Sequence, residues 1–528
     1  MLILQNISYT LPNKNLLFDN INLTVNWQEK IALIGNNGSG KSTLLKIIAK
    51  ELQPTAGLIN SEADLYYVPQ IFGQYNQLSI GQALKVEDKL HALQQILNGN
   101  ASEEYFNVLN DDWTIEDRCK EALNYWQLEN PDLSQKMETL SGGQKTKVFL
   151  AGIAIHQPEV VLLDEPSNHL DVAGRQLLYD FIQSTKHTLV VVSHDRKLLN
   201  LLNPVCELSK HGLKMYGGNY EFYTGQKEIE NNALNQDLQS KEKALRKARE
   251  KERETLERQQ KSDSRGKGKQ EKAGVARIMM NTLRNKAENS TSKVKDIHAE
   301  KIDGISQELQ ELRSTLPGID KVKFGFENAA LHRGKILFKA TGINYAYHNQ
   351  LIWKNNLTFQ LNSGDRMTLK GLNGSGKTTL IKIISGQLAP QTGSIYRADN
   401  QSVYIDQDYS LIDNQLKVYE QAQQFNKGAL QEHEIKIRLS RFLFTKEDWD
   451  KTCSVLSGGE KMRLMLCCLI IGNQSPDIII LDEPTNNLDI QNIEILTSAI
   501  NEYQGTLIVV SHDETFLEQT KTDQTIQL

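Results

Sequence analysis

The sequence predicts an α/β protein built from two phosphate-loop domains joined by a long antiparallel α-helical hairpin. Three observations carry this expectation. A Gly-x-x-x-x-Gly-Lys-[Ser/Thr] loop occurs twice, ending at Lys41-Ser42 and at Lys377-Thr378. Each is followed in the same order by Leu-Ser-Gly-Gly, by an apolar run ending in Asp-Glu-Pro, and by Ser-His-Asp. Between the two sets lie about a hundred polar and charged residues rich in helix formers.

Matched spacing makes the repeat hard to reach by chance. The phosphate-loop lysines are 336 residues apart. Ser141 precedes Glu165 by 24 residues and Ser457 precedes Glu483 by 26, while each glutamate precedes its histidine, His194 or His512, by 29. We therefore divide the chain into a first domain at 1–223, a linker at 224–333 and a second domain at 334–528. One segment differs. Gln70 to Ser141 spans 71 residues and Gln407 to Ser457 spans 50, which places about 21 extra residues of the first copy within 74–113, as an interaction arm or a longer surface helix pair.

The first loop reads Gly35-Asn36-Asn37-Gly38-Ser39-Gly40-Lys41-Ser42-Thr43, after an apolar strand and before a helical stretch. The second reads Gly371-Leu372-Asn373-Gly374-Ser375-Gly376-Lys377-Thr378-Thr379 in the same context. Glycines let main-chain N–H groups wrap phosphates at a helix N-terminus. Lys41 and Lys377 are expected on the β- and γ-phosphates of ATP, and Ser42 and Thr378 on Mg²⁺. Asp164-Glu165 and Asp482-Glu483 end buried-type strands. The first acid of each pair can hold the Mg²⁺ shell and the second can polarise the attacking water, because phosphoryl transfer needs mostly positioning and charge stabilisation. His194 and His512 follow apolar strands and can reach a γ-phosphate. Gln70 and Gln407, also after short strands, can sense Mg²⁺ and the attacking water.

Composition excludes several classes. Five cysteines without CxxC spacing fit neither a zinc site nor a disulfide framework, as in a reducing compartment. The longest apolar runs, such as 464–471, are too short to cross a bilayer, and the N-terminus reads straight into a strand with no basic-then-apolar leader. A cytoplasmic protein is expected. The net charge of −5 hides an asymmetry. Residues 241–295 hold 18 Lys/Arg and 8 Asp/Glu, a local charge of +10, which leaves −15 on the rest. A basic middle between acidic ends points to a polyanion partner.

Within the linker, Leu234, Leu238 and Leu245 give one thin apolar stripe, and Ile305, Leu309, Leu312 and Leu316 give another that Pro317-Gly318 stops. Two helices folded back as a coiled coil are expected, with the Gly-, Ser- and Lys-containing stretch 261–273 as a turn or mobile tip. Thirty-five residues of helix would reach roughly 50 Å.

The ordered set of phosphate loop, glutamine, Leu-Ser-Gly-Gly, Asp-Glu and histidine resembles the ATP-binding cassette ATPases. That resemblance implies head-to-tail pairing within one monomer. Ser141, Gly142, Gly143 and Gln144 would close on ATP held by Lys377, and Ser457, Gly458, Gly459 and Glu460 on ATP held by Lys41. Asp171 and Asp489 would end loops that couple the sites. An aromatic stacks on adenine in this family; Tyr347 stands in that register, while the first copy has Leu11 there, with Tyr9 two residues earlier. The second copy also departs from the first at Asn487, where His169 stands in the first.

Two cassettes, no membrane segment and a basic linker together resemble the ABC-F family over essentially the whole chain. Members act on ribosomes, as translation factors or antibiotic-resistance proteins, entering the tRNA exit site with the linker hairpin against tRNA and rRNA. The matching tip would be 261–295, with Arg265, Lys267, Lys269, Lys272, Arg277, Arg284 and Lys286 as RNA contacts. Two alternatives stand beside this. One is a DNA-associated cassette ATPase, although relatives of that kind carry a basic coiled coil at the C-terminus and this chain ends about sixteen residues after His512. The other is an ATPase subunit recruited by a separate membrane transporter.

Overall fold

The computed structural model describes residues 1–272 (except 62, 71, 101, 129–131 and 211), 296–312, and 332–528 (except 333, 349, 373, 473–475 and 487). The chain divides into two compact units. One is Met1–Glu221 with Lys321–Leu528, and the other is Phe222–Asp320.

The first unit contains both copies, and each is an α/β cassette. In the first copy the central sheet runs Leu65–Val68, Val160–Asp164, Thr188–Val192, Lys30–Ile34, Val205–Ser209, Gly212–Tyr216. All neighbours are parallel except the last pair. The unbroken runs Val-Val-Leu-Leu-Asp and Thr-Leu-Val-Val-Val are buried at every position, as a parallel sheet covered on both faces requires. The second copy repeats the order with Ser402–Ile405, Ile478–Asp482, Thr506–Val510, Arg366–Lys370 and Gln524–Gln527, all parallel.

An antiparallel three-stranded sheet packs on each central sheet. The first is Leu16–Val25, Leu2–Thr10, Ala56–Asn60, and the second is Leu357–Asn362, Ile336–Asn344, Thr392–Arg397. Ile31, Leu33, Leu162 and Val190 meet Leu44, Ile47 and Ile48 of the helix Lys41–Ile48, together with Leu4, Ile7 and Leu23 of the antiparallel layer. The second copy matches this with Met367, Leu369, Ile480 and Ile508 against Leu380, Ile383 and Leu361. Because the central strands are parallel, their carboxyl ends share one edge. The phosphate loops, Gln70 and Gln407, the Asp-Glu pairs and both histidines all follow such ends, which is where open α/β sheets bind ligands.

The helical parts differ. The first copy contains Glu87–Leu97 and Glu103–Leu109 before Ile115–Tyr125, whereas the second passes from Val418–Gln424 to Glu432–Arg441. Asp112 ties this segment down, accepting from Lys89 at 3.0 Å and Arg118 at 2.8 Å. Burial pushes its carboxyl up, but those bonds and charges outweigh burial and hold it below the ordinary Asp range. A depressed carboxyl stabilises above its unfolded pKa and loses that contribution as pH falls through the folded one. Asp112→Asn is accordingly expected to cost about 1–3 kcal/mol at pH 7 and less in acid, read as a pH-dependent difference in melting temperature.

In the second unit the helix beginning at Tyr220 runs to Lys272, 53 residues or about 80 Å. It corrects the expected turn over 261–272, and Ala273 lies outside the described residues. The helix is sustained by i,i+4 pairs Arg246–Glu250, Arg253–Glu257 and Glu254–Arg258. Gly266 and Gly268 each cost about 1 kcal/mol against alanine, too little to end a nucleated helix that meets no proline. A second helix covers 296–312. Glu308 pairs with Lys241, and Leu309 is buried while Ile305 is half-buried. Arg265 is exposed, Lys267, Lys269 and Lys272 lie on the long helix, and Arg277, Arg284, Lys286 and Leu316 lie outside the described residues.

Candidate active site

Each phosphate loop turns from a buried strand into a helix through a glycine that no other residue replaces easily. Gly40 and Gly376 have φ of 96° and 91°. A Cβ on Gly40 would stand 2.8 Å from Leu17 and Phe18, and one on Gly376 2.5 Å from Ile352. Lys41 Nζ donates to the carbonyls of Gly35 (2.7 Å) and Asn36 (3.2 Å). Lys377 does the same with Gly371 (2.9 Å) and Leu372 (3.0 Å). Burial lowers both ammonium pKa values, with the neighbouring acids pulling back. The Ser39 and Ser375 hydroxyls are buried without a hydrogen-bond partner among the described residues. Asn373 lies outside the described residues.

The expected magnesium donors converge in the first copy, where Ser42 Oγ donates to Asp164 Oδ1 at 3.0 Å. In the second, Thr378, Gln407 and Asp482 line one cleft of about 300 Å³ with Gly374, Lys377, Thr379 and Glu483. Hydroxyl, carboxylate and amide oxygens are the hard donors Mg²⁺ takes, so the residues fit that ion. Gln70 is half-buried just past its strand.

Glu165 and Glu483 share an uncommon backbone. Their φ values are 52° and 49°, the left-handed region, and their N–H groups donate at 2.8 Å to Val192 and Val510 on the neighbouring strands. A non-glycine residue held there twice, at matched positions, marks local strain that the fold maintains. Burial pushes the Glu165 carboxyl up to about 8, against the pull of Lys41. Burial pushes Glu483 up to about 7, against Arg175 first among the charges. His194 Nε2 lies 3.4 Å from Glu165 Oε1 and His512 Nε2 3.3 Å from Glu483 Oε1. These are not ion pairs at neutral pH. Burial, helped by Lys41, pushes His194 down to about 3; burial, helped by Lys377 and Arg175, pushes His512 down to about 4. Neither Glu483 oxygen has a side-chain hydrogen-bond partner among the described residues, with the His512 backbone N–H nearby, which leaves them available to a water.

Such carboxyls work against the fold. Their raised pKa means that the contribution to stability is complete below about 4.5 and is lost as pH rises through 7 to 8. Glu165→Gln with Glu483→Gln, which imitates the protonated form, should raise the melting temperature of the nucleotide-free protein. The gain should be larger at pH 8.5 than at pH 5, with an upper bound of several kcal/mol. Equal gains at both pH values would contradict the burial argument.

Ser141 and Ser457 start the helices Gly142–His156 and Gly458–Ile471 as N-caps. Gln144 N–H donates to Ser141 Oγ at 3.3 Å, and Ser141 N–H donates to Gln144 Oε1 at 2.9 Å. Ser457 N–H and Oγ both donate to the Glu460 carboxylate, at 2.8 and 2.7 Å. Gly143 and Gly459 are buried in the first turns. Lys145 and Lys461, two residues further, donate to Asn76 and Asn414 at 2.7 and 2.9 Å, which ties each signature helix to the segment after its glutamine.

Contacts cross between the copies through the loops ending at Asp171 and Asp489. Asn37 N–H donates to Asp489 Oδ2 at 2.9 Å. Asp489 also caps its own helix at Asn492 N, and Asp171 caps at Gly174 N, both at 2.8 Å. The charge of Asp489 acts on Lys41 and that of Asp171 on Lys377. Each phosphate loop thus has the other copy's aspartate beside it. Tyr347 is 49% exposed next to the second loop, in edge contact with Tyr345. Tyr9 instead packs on Phe18.

Two tyrosines escaped the sequence reading. Tyr67 Oη donates to Asp164 Oδ2 at 3.1 Å and Tyr404 Oη to Asp482 Oδ2 at 2.8 Å. Each stands three residues before its glutamine, so the repeat itself held the signal. Burial and the adjacent carboxylate raise both phenol pKa values, which keeps them donors. Tyr67→Phe with Tyr404→Phe should raise the Mg²⁺ concentration for half-maximal nucleotide binding about tenfold, with binding in EDTA unchanged. Titration of a fluorescent ATP analogue against Mg²⁺ tests this, and an unchanged midpoint would refute it.

The ABC transporter family profile matches residues 18–168 and 354–486. The probable ATP-binding protein YbiT of Escherichia coli O157:H7 is 29% identical over 99% of this chain and 95% of its own. The putative ATP-binding protein YdiF of Bacillus subtilis (strain 168) is 31% identical, and the ATP-binding protein Uup of Escherichia coli (strain K12) 30%, each over 96% of this chain and 77% of its own. Among solved structures, the archaeal ribosome recycling factor aABCE1, in complex with ribosomal stalk protein aP1, superimposes with a TM-score of 0.60. The match covers 99% of this chain and 87% of that one at 19% identity, a likeness of fold.

Proposed function

Because this chain belongs to the ATP-binding cassette family, as a twin-cassette ATPase of the ABC-F group, we propose that it is an ATP-driven switch acting on the ribosome. ATP hydrolysis is the activity of the family. The observation that carries the ribosome reading is the 53-residue helix whose distal part belongs to the +10 segment 241–295. An exposed basic helix displaces counterions from RNA phosphates, giving affinity with little sequence preference and a steep salt dependence. A tether between two cassettes needs neither that length nor that charge.

In this reading ATP held by Lys41 is closed over by Ser457, Gly458 and Gly459, and ATP held by Lys377 by Ser141, Gly142 and Gly143. Main-chain N–H groups at two helix starts then face γ-phosphates. Glu165 and Glu483 polarise the attacking waters, with His194 and His512 holding the γ-phosphate side. Mg²⁺, held through Ser42 and Asp164 or Thr378 and Asp482, would neutralise the charge of the bridging phosphates. Tyr347 stacks on adenine at the Lys377 site. Closure requires that ATP bind the closed state more tightly than the open one. The closed form presents the linker to rRNA and to tRNA in the exit site, in the cytoplasm, and acts as a translation factor or an antibiotic-resistance protection protein. Hydrolysis releases it.

One structural neighbour is the archaeal ribosome recycling factor aABCE1 in complex with a ribosomal stalk protein, and another is ribosome-bound archaeal Pelota and ABCE1. They concern those proteins, and they make the ribosome the first partner to try here. No described helix is long and apolar enough to cross a membrane. The test is co-sedimentation of the Glu165→Gln/Glu483→Gln protein with ribosomes in ATP or ADP. Migration that needs ATP and fades with salt is expected. Free protein in ATP with nucleotide bound would overturn the ribosome reading, and stimulation of wild-type ATPase by DNA instead would replace it with the DNA-associated one.

A further inference from the structure

The two hydrolytic centres are not wired alike. Arg175 lies four residues after Asp171, on the helix Val172–Ser184, with a side chain only 12% exposed. Its own copy fixes it first. Nε donates to the Leu170 carbonyl at 3.2 Å and Nη1 lies 3.8 Å from Asp195 Oδ2. Asp195 is itself held, accepting from Tyr179 Oη at 2.6 Å and capping Lys197 and Leu198 N–H. From that mount Nη1 donates across to the main-chain carbonyl of His512 in the other copy, at 3.5 Å.

That carbonyl belongs to the residue whose imidazole faces Glu483 at 3.3 Å. The matched position in the second copy, four residues after Asp489, is Ile493, which is buried and has no donor to offer. Among the described residues no hydrogen bond from the second copy reaches the His194 carbonyl. A bond at 3.5 Å stands at the long limit of the interaction. A shift of half an ångström inward makes it firm, and one ångström outward abolishes it. The contact therefore responds to how closely the first copy's helix is docked.

We propose that Arg175 is a positioning residue that couples ATP hydrolysis at the Lys377 site to docking of the first cassette, while the Lys41 site turns over without an equivalent tie. This rests on the reading of Glu483 and His512 as the hydrolytic pair of that site. The guanidinium orients His512 through its backbone and presents its charge toward Glu483, which no described residue of the second copy does for Glu165.

Two single-site backgrounds separate the sites. Glu165→Gln leaves only the Lys377 site active, and Glu483→Gln leaves only the Lys41 site. Adding Arg175→Ala should lower kcat about tenfold in the first background, with the KM for ATP within about twofold, and leave the second background's kcat within about twofold. Arg175→Lys should restore part of the loss, since it keeps the charge but not the planar fork. Arg175→Met, which keeps much of the unbranched stem but neither the charge nor the donors, should show the same loss and settles the matter if the alanine variant folds poorly. Equal losses in both backgrounds, or none in the first, would overturn the coupling. Failure of the underlying reading looks different: neither glutamine background would lower ATP turnover, before Arg175 is touched.

Discussion

Glu165→Gln combined with Glu483→Gln is expected to slow steady-state ATP hydrolysis by at least about 100-fold while leaving nucleotide binding in place. The geometry explains why the two properties separate. Each glutamate is fixed by its backbone, with φ near 50° and an N–H bonded to the next strand, so the amide should occupy the same position as the acid. What disappears is the carboxylate that polarises water. Lys41, Lys377 and the loop N–H groups are untouched. ATP then persists in the closed cassettes, and the closed population rises by whatever factor ATP prefers it; moving a 1:99 equilibrium to 99:1 takes about 10⁴. Release from ribosomes should slow in proportion to the lost hydrolysis. Rapid-quench ATP turnover and dissociation of labelled protein from ribosomes measure the two steps. Turnover within a few-fold of wild type would remove Glu165 and Glu483 from the chemistry, and fast release despite blocked turnover would remove hydrolysis as the release step.

The motifs that bind phosphate were readable because each needs a rare combination. Gly40 and Gly376 must adopt positive φ within contact of the antiparallel layer, and only glycine allows that, so the loop leaves a fixed trace in the sequence. The Asp-Glu strands announced themselves through runs such as Ile478-Ile479-Ile480-Leu481, buried on both faces. Helix continuity was less legible. Gly266 and Gly268 read as a turn, yet a helix of charged residues with i,i+4 pairs carries them through to Lys272. Pairwise contacts between distant segments were the least legible of all. Nothing in the surroundings of Tyr67 or Tyr404 points to an aspartate 97 or 78 residues away, although their shared offset from Gln70 and Gln407 was available. Arg175 left no trace in the repeat, because its counterpart is Ile493 and its target is the backbone of another copy.

Neutralising exposed basic residues of the long helix should have the second large effect. Lys243, Lys247, Arg249, Lys251 and Arg265 are all exposed, and none is needed to fold a cassette. Changing the five to glutamine preserves helix propensity, since Gln ranks close to Lys and Arg. If each neutralises an RNA phosphate, the slope of log affinity against log salt should fall by about 0.7–0.9 per residue. Affinity for ribosomes near physiological salt should drop on the order of 100-fold or more. Basal ATPase without ribosomes should stay within about twofold, because the site residues are all in the other unit. That contrast separates a docking helix from a tether. A tether predicts unchanged ribosome affinity and salt slope, and a helix that instead transmits closure predicts altered basal ATPase. Binding measured across a salt series, with ATPase measured in the same buffers, decides between them. A slope that stays as steep in the five-fold variant as in wild type would move the RNA contact off these residues.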